Sequence, residues 1–146
     1  MLVVGAWLTC EDGENRPIIR IGIEADGGRI IEFEWLVDTG ADRSVIDAGT
    51  LKKLNLPQQS PPSGFDLRGV GGSSPFVVIT TVLHLQQSNG SIAKVRGQFG
   101  AFTDPCAIDL PILGRDVLSH FDVIVSRRRN QVLLLAPNHN YVVTST

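Results

Sequence analysis

The chain has 146 residues, with 13 lysines and arginines against 15 aspartates and glutamates, for a formal net charge of −2 at neutral pH. That length suits one domain that buries roughly 68–70% of its unfolded surface in a single core. The one cationic cluster, Arg127-Arg128-Arg129, lies between two apolar runs and reads as an exposed turn, so no basic patch suited to nucleic acid is present.

Fifteen glycines and eight prolines imply many short elements and many turns. The two cysteines, Cys10 and Cys106, are too few for a disulfide framework and have no metal-ligand spacing, so no metal and no cofactor is expected. The opening "MLVVGAWLTC" has no basic flank and runs at once into the acidic "EDGEN", which favours a first strand over a signal segment. No run approaches the ~18 apolar residues of a membrane span. The expectation is a cytoplasmic protein without a membrane partner.

Residues 17–25 and 30–37 flank Asp26-Gly27-Gly28-Arg29, a hairpin signal. In the second run Ile31, Phe33, Trp35 and Val37 share one face, opposite Glu32 and Glu34, the period of a half-buried strand. "DAGTLKKLNLP" has room for about two helical turns, with Asp47 as N-cap and Pro57 barring continuation. "DLRGV" and "SSPFVVITTVLHLQ" are β-rich runs joined through Gly71-Gly72, and Ser88-Asn89-Gly90 turns the chain into "SIAKVRGQFGAF". The apolar run "AIDLPILG" leads to a short helix in "RDVLSHF", and "DVIVS" and "QVLLLAP" form a last hairpin around "RRRN". Seven to nine strands with one or two short helices make an all-β domain. "WLVDTGADRSVI" and "LPILGRDVLSHF" echo each other: apolar strand, Gly-containing turn with an acid, short amphipathic segment.

Asp38-Thr39-Gly40-Ala41-Asp42 after an apolar strand, a Gly-rich hairpin some thirty residues on, and Ile112-Leu113-Gly114-Arg115-Asp116 before a helix together resemble the single-domain retropepsins among the aspartic proteases. The resemblance spans residues 17–136. The closing hairpin makes it more similar to cellular and prokaryotic retropepsin-like domains than to viral enzymes. It implies that residues 1–146 form a single retropepsin-like domain, a closed β-barrel lobe that acts as a homodimer on polypeptide substrates.

The resemblance also implies roles for particular residues. Asp38 would be catalytic, and Thr39, Gly40 and Ala41 would support its loop, Ala41 standing where a serine is common in the pepsins. Asp42 would pair with Arg115 in a buried ion pair and meet substrate, and Val70, Gly71 and Gly72 would belong to a flap over it. The plainer alternatives are a strand-end threonine, a turn glycine, a solvated loop acid and a flexible hairpin. Two carboxylates and one water suffice for such hydrolysis: one ionised acid takes a proton from water while its protonated partner hydrogen-bonds the scissile carbonyl. Only one Asp-Thr-Gly occurs in the chain, so the second acid must come from a second copy across a twofold axis. The terminal runs "MLVVGAWL" and "NYVVTST" lie outside the resemblance; they are expected to pair across that axis, which removes free edges, the alternatives being pairing within the chain or a disordered tail for the last nine residues.

Two other readings compete with this one. A strand ending in Asp also opens phosphoryl-transfer sites of the Asp-x-Asp type, but position 40 is Gly and no phosphate-cradling Gly-Lys loop is present. The retropepsin fold could also serve as a dimerisation or peptide-binding module with little proteolysis. The intact Asp-Thr-Gly argues for an aspartic endopeptidase.

Overall fold

A computed structural model of the chain describes residues 2–67, 74–137, 142 and 144. Among these residues nine strands join into one sheet: β1 (Leu2–Thr9), β2 (Asn15–Glu24), β3 (Ile30–Val37), β4 (Val45–Ile46), β5 (Phe76–Gln86), β6 (Ile92–Phe102), β7 (Ile112–Leu113), β8 (Asp122–Ser126) and β9 (Gln131–Leu135). Two short helices, α1 (Ala48–Leu54) and α2 (Arg115–Leu118), interrupt them. The order β3-β7-β4-β6-β5-β2 closes on itself, because β2 also pairs with β3. A six-stranded barrel results, and β1, β9 and β8 continue outward from β2.

The barrel is built from period-two strands. On β2 the side chains of Ile19, Ile21 and Ile23 are fully buried, and Trp35 and Val37 of β3 join the same core. Glu32 and Glu34 face solvent, as the alternation of β3 requires. The two strands pair antiparallel from Ile18 opposite Leu36 to Glu24 opposite Ile30. Gly27 and Gly28, with φ of 75° and 76°, turn the chain between them in the left-handed region that glycine enters freely. Each buried isoleucine of this core contributes about 1.5–3 kcal/mol relative to exposure.

Helix α1 starts at Asp47, whose Oδ2 accepts a hydrogen bond from Thr50 N at 3.2 Å, and stops at Asn55 in the left-handed conformation. The stop therefore comes two residues before Pro57. Residues 66 and 67 of "DLRGV" lie outside any strand, and residues 68–70 are outside the described residues. The apolar run before α2 contributes only the two residues of β7.

The N-terminal run pairs within the chain. β1 lies antiparallel to β2 from Ala6 opposite Ile18 to Thr9 opposite Asn15, and to β9 from Leu2 opposite Leu135 to Gly5 opposite Val132. Arg127 of the β8–β9 turn sits 5.6 Å over the Trp7 ring, and Trp7 N donates to Asn130 Oδ1 at 3.1 Å. Of the C-terminal run "NYVVTST", only Val142 and Thr144 are described residues. Arg16 bridges Asp12 and Asp109, a contact that ties the start of β2 to the loop before β7 and holds its guanidinium above the ordinary arginine value, chiefly through the Asp109 hydrogen bond. Both cysteines are free thiols. Among the described residues no helix is long and apolar enough to cross a membrane.

Candidate active site

The alternation of β3 ends with Val37 in the core and delivers Asp38 at the rim of the barrel, where it is half-buried. β7 runs parallel to this strand end, with Leu36 opposite Ile112 and Val37 opposite Leu113. Leu36 N donates to Pro111 O at 2.8 Å, and Asp38 N donates to Leu113 O at 3.0 Å. Past Asp38 the chain turns at once: Gly40 N donates to Asp38 Oδ1 at 2.9 Å and Ala41 N to Asp38 O at 3.2 Å. A Cβ on Gly40 would lie 3.2 Å from Asp38 Oδ1, so glycine is favoured by close approach to the carboxylate, not by a positive φ.

The loop then runs against the segment from Leu113 to Val117. Arg115 N donates to Ala41 O at 2.8 Å and Asp116 N to Asp42 O at 3.2 Å. Ser44, which no motif singled out, is fully buried. Its backbone N and its Oγ both donate to Asp116 Oδ1, at 2.8 and 2.6 Å, and Gly114 N donates to Ser44 Oγ at 2.9 Å. The one available signal was the echo between "WLVDTGADRSVI" and "LPILGRDVLSHF", whose halves meet here through β4 and β7.

Asp42 and Arg115 form an ion pair through Oδ1 and Nη2. The resemblance implies a buried pair, yet the two side chains are 82% and 54% exposed. Both project from loop and helix start away from the core, so water screens them. An exposed pair is worth about 0–1 kcal/mol, not the ~3–5 kcal/mol lost when a buried pair is broken. Arg115→Ala should therefore lower unfolding stability by no more than about 1 kcal/mol in urea titration. A loss of several kcal/mol would show that the pair is desolvated in the working protein.

Thr39 and Gly40 are exposed beside Asp38, and Ala41 is half-buried. The Arg43 guanidinium stacks 4.0 Å from the Phe65 ring centre, and Phe65 lies 5.9 Å from Phe76. This contact joins the Asp38 loop to the two ends of the segment expected to form the flap, but Val70, Gly71 and Gly72 themselves lie outside the described residues. His84 is engaged elsewhere, with Glu24 at 2.8 Å. Among the described residues no group of three or more His, Cys, Asp or Glu could hold a metal ion.

The site is thus an apolar strand ending in Asp-Thr-Gly, backed by a second apolar-Gly loop at the rim of a closed barrel. The model of the family described as retroviral aspartyl protease matches residues 13–126. The chain belongs to the retroviral aspartyl protease family.

Among its relatives, the Endogenous retrovirus group K member 25 Pro protein of Homo sapiens is 33% identical over 108 residues, covering 74% of this chain and 60% of that protein. The Intracisternal A-particle Gag-related polyprotein of mouse intracisternal A-particle MIA14 is 30% identical over 112 residues, covering 77% of this chain and 12% of the polyprotein. The chain thus spans less than two thirds of the length of these relatives. A retropepsin-like aspartic protease from Rickettsia conorii shares the fold at a TM-score of 0.57 and 18% identity, over 92% of this chain and 90% of that one. EIAV protease complexed with the inhibitor HBY-793 shares it at a TM-score of 0.52 and 22% identity, over 77% of this chain and 92% of that one. The fold is retropepsin-like, and the bacterial structure is matched over more of this chain than the viral one.

Proposed function

We propose that this domain is an endopeptidase that works as a homodimer, with two Asp38 carboxylates, one from each copy, activating a single water. The observation that carries the reading is the single Asp-Thr-Gly at the end of β3, held in a backbone turn against β7, in a chain of this family. One carboxylate alone cannot both take a proton from water and donate a hydrogen bond to the scissile carbonyl. In the dimer the ionised Asp38 would accept the water proton while the other, protonated, polarises the carbonyl; the proton then passes to the leaving amine. Two carboxyls a few ångströms apart share one proton, which keeps the pair in this mixed state.

The other roles belong to the same proposal. Thr39 and Gly40 would shape the loop at the twofold axis. Asp42, with Val70, Gly71 and Gly72 of the flap, would meet the backbone of a polypeptide substrate. A cytoplasmic location is part of this reading.

The test is digestion of an unstructured polypeptide across a pH series. The rate should be bell-shaped with its optimum on the acid side of neutrality. The acid limb falls as both carboxylates become protonated and the base is lost; the alkaline limb falls as both ionise and the donor is lost. A rate that keeps rising through pH 8 would point to different chemistry, and no cleavage at any pH would refute the reading.

A further inference from the structure

We infer that Ser44 and Asp116 are positioning residues for the Asp38 carboxylate, together forming a clasp whose integrity sets turnover; this rests on the peptidase reading above. Among the described residues, the Asp38 carboxylate is hydrogen-bonded only to Gly40 N, within its own turn. Wherever the turn goes, the carboxylate goes. The turn is held from outside by two backbone anchors, Asp38 N on Leu113 O and Ala41 O under Arg115 N, with Arg115 Nη1 also reaching Thr39 O at 3.5 Å. Gly114 lies between those two anchors.

The Ser44 hydroxyl holds Gly114 N, while Gly114 O accepts from Val117 N and Leu118 N at 3.2 and 2.9 Å. Gly114 N can only donate, so Ser44 Oγ accepts there at 2.9 Å and must send its own proton to Asp116 Oδ1 at 2.6 Å. The same Oδ1 also receives Ser44 N at 2.8 Å and Val117 N at 2.9 Å, so one carboxylate oxygen gathers three donors. There is no slack around this point. A Cβ on Gly114 would come within 2.6 Å of the Arg43 carbonyl carbon and oxygen. Without the hydroxyl, a buried N–H loses its acceptor and the two anchors lose the residue between them. A shift of ~1 Å in a reacting group is enough to cost about a hundredfold in rate.

The experiment measures kcat and KM for Ser44→Ala, Ser44→Thr, Asp116→Ala and Asp116→Asn at pH values across the activity bell, with folding checked by circular dichroism. Both alanine variants should lose about ten- to a hundredfold in kcat with KM changed by less than about threefold. Ser44→Thr keeps the hydroxyl and Asp116→Asn keeps Oδ1 as an acceptor, so each should recover most of that loss. Amide hydrogen exchange should quicken over residues 38–44 in Ser44→Ala while β5 and β6 stay protected. Should Ser44→Ala fail to fold, Ser44→Cys, which keeps the volume but weakens both hydrogen bonds, decides by the same kcat and KM split. A folded Ser44→Ala within about twofold of wild-type kcat, or exchange that quickens uniformly along the chain, would overturn the inference while leaving the peptidase reading intact. A wild-type chain that cleaves nothing would overturn both.

Discussion

Asp38→Asn should abolish cleavage while leaving the fold and the dimer nearly unchanged. The amide is isosteric, and its Oδ1 can still accept the hydrogen bond from Gly40 N that closes the turn at 2.9 Å. Asp38 N keeps its bond to Leu113 O, so the strand end stays docked on β7. On the proposed mechanism, what disappears is the group that takes a proton from water, in both copies at once. Loss of a general base alone costs about 10²–10⁴-fold in rate, and here the protonated partner goes with it. Unfolding stability should change by no more than about 1 kcal/mol, the scale of one altered hydrogen bond. Turnover within about tenfold of wild type would remove Asp38 from the chemistry.

Specific activity should also fall on dilution. If each chain brings one carboxylate, the monomer is inactive and the rate follows the dimer population. Well below the dimer dissociation constant that population scales with the square of chain concentration, so each tenfold dilution should lower specific activity by about tenfold. Mixing equal amounts of wild type and Asp38→Asn gives a second check. Random pairing leaves half of the wild-type chains in mixed dimers, so activity should drop to about half that of the same wild-type chains allowed to pair only with each other. Flat specific activity across dilution, with a monomer in sedimentation, would overturn the shared site.

The two predictions stand on parts of the molecule that were legible for different reasons. The β2–β3 hairpin and the delivery of Asp38 were readable because the alternation from Ile31 to Trp35, with Val37 in the same phase, marks the buried face. The capped start of α1 at Asp47 was readable because it is local, with donor and acceptor three residues apart. Burial of the Asp42–Arg115 pair was not, since exposure is decided by what the rest of the chain stacks over a loop. The contact between Ser44 and Asp116 was not legible for a related reason. They are 72 residues apart, and the strands beside them, β4 and β7, are two residues long, too short to show a period. Pairing of β1 within the chain was an open alternative, and its places beside β2 and β9 decide it.

The separation of the two halves of the clasp has a consequence for the order in which the molecule is made. Leu36 and Asp38 wait for acceptors on Pro111 and Leu113, and Ser44 waits for Asp116. On a ribosome adding roughly 5–20 residues per second, the interval between Asp38 and Asp116 is about 4–16 seconds. Throughout it the acid is present but its turn has nothing to lean on. On the proposed function, a nascent chain therefore has no formed site until Asp116 has been synthesised.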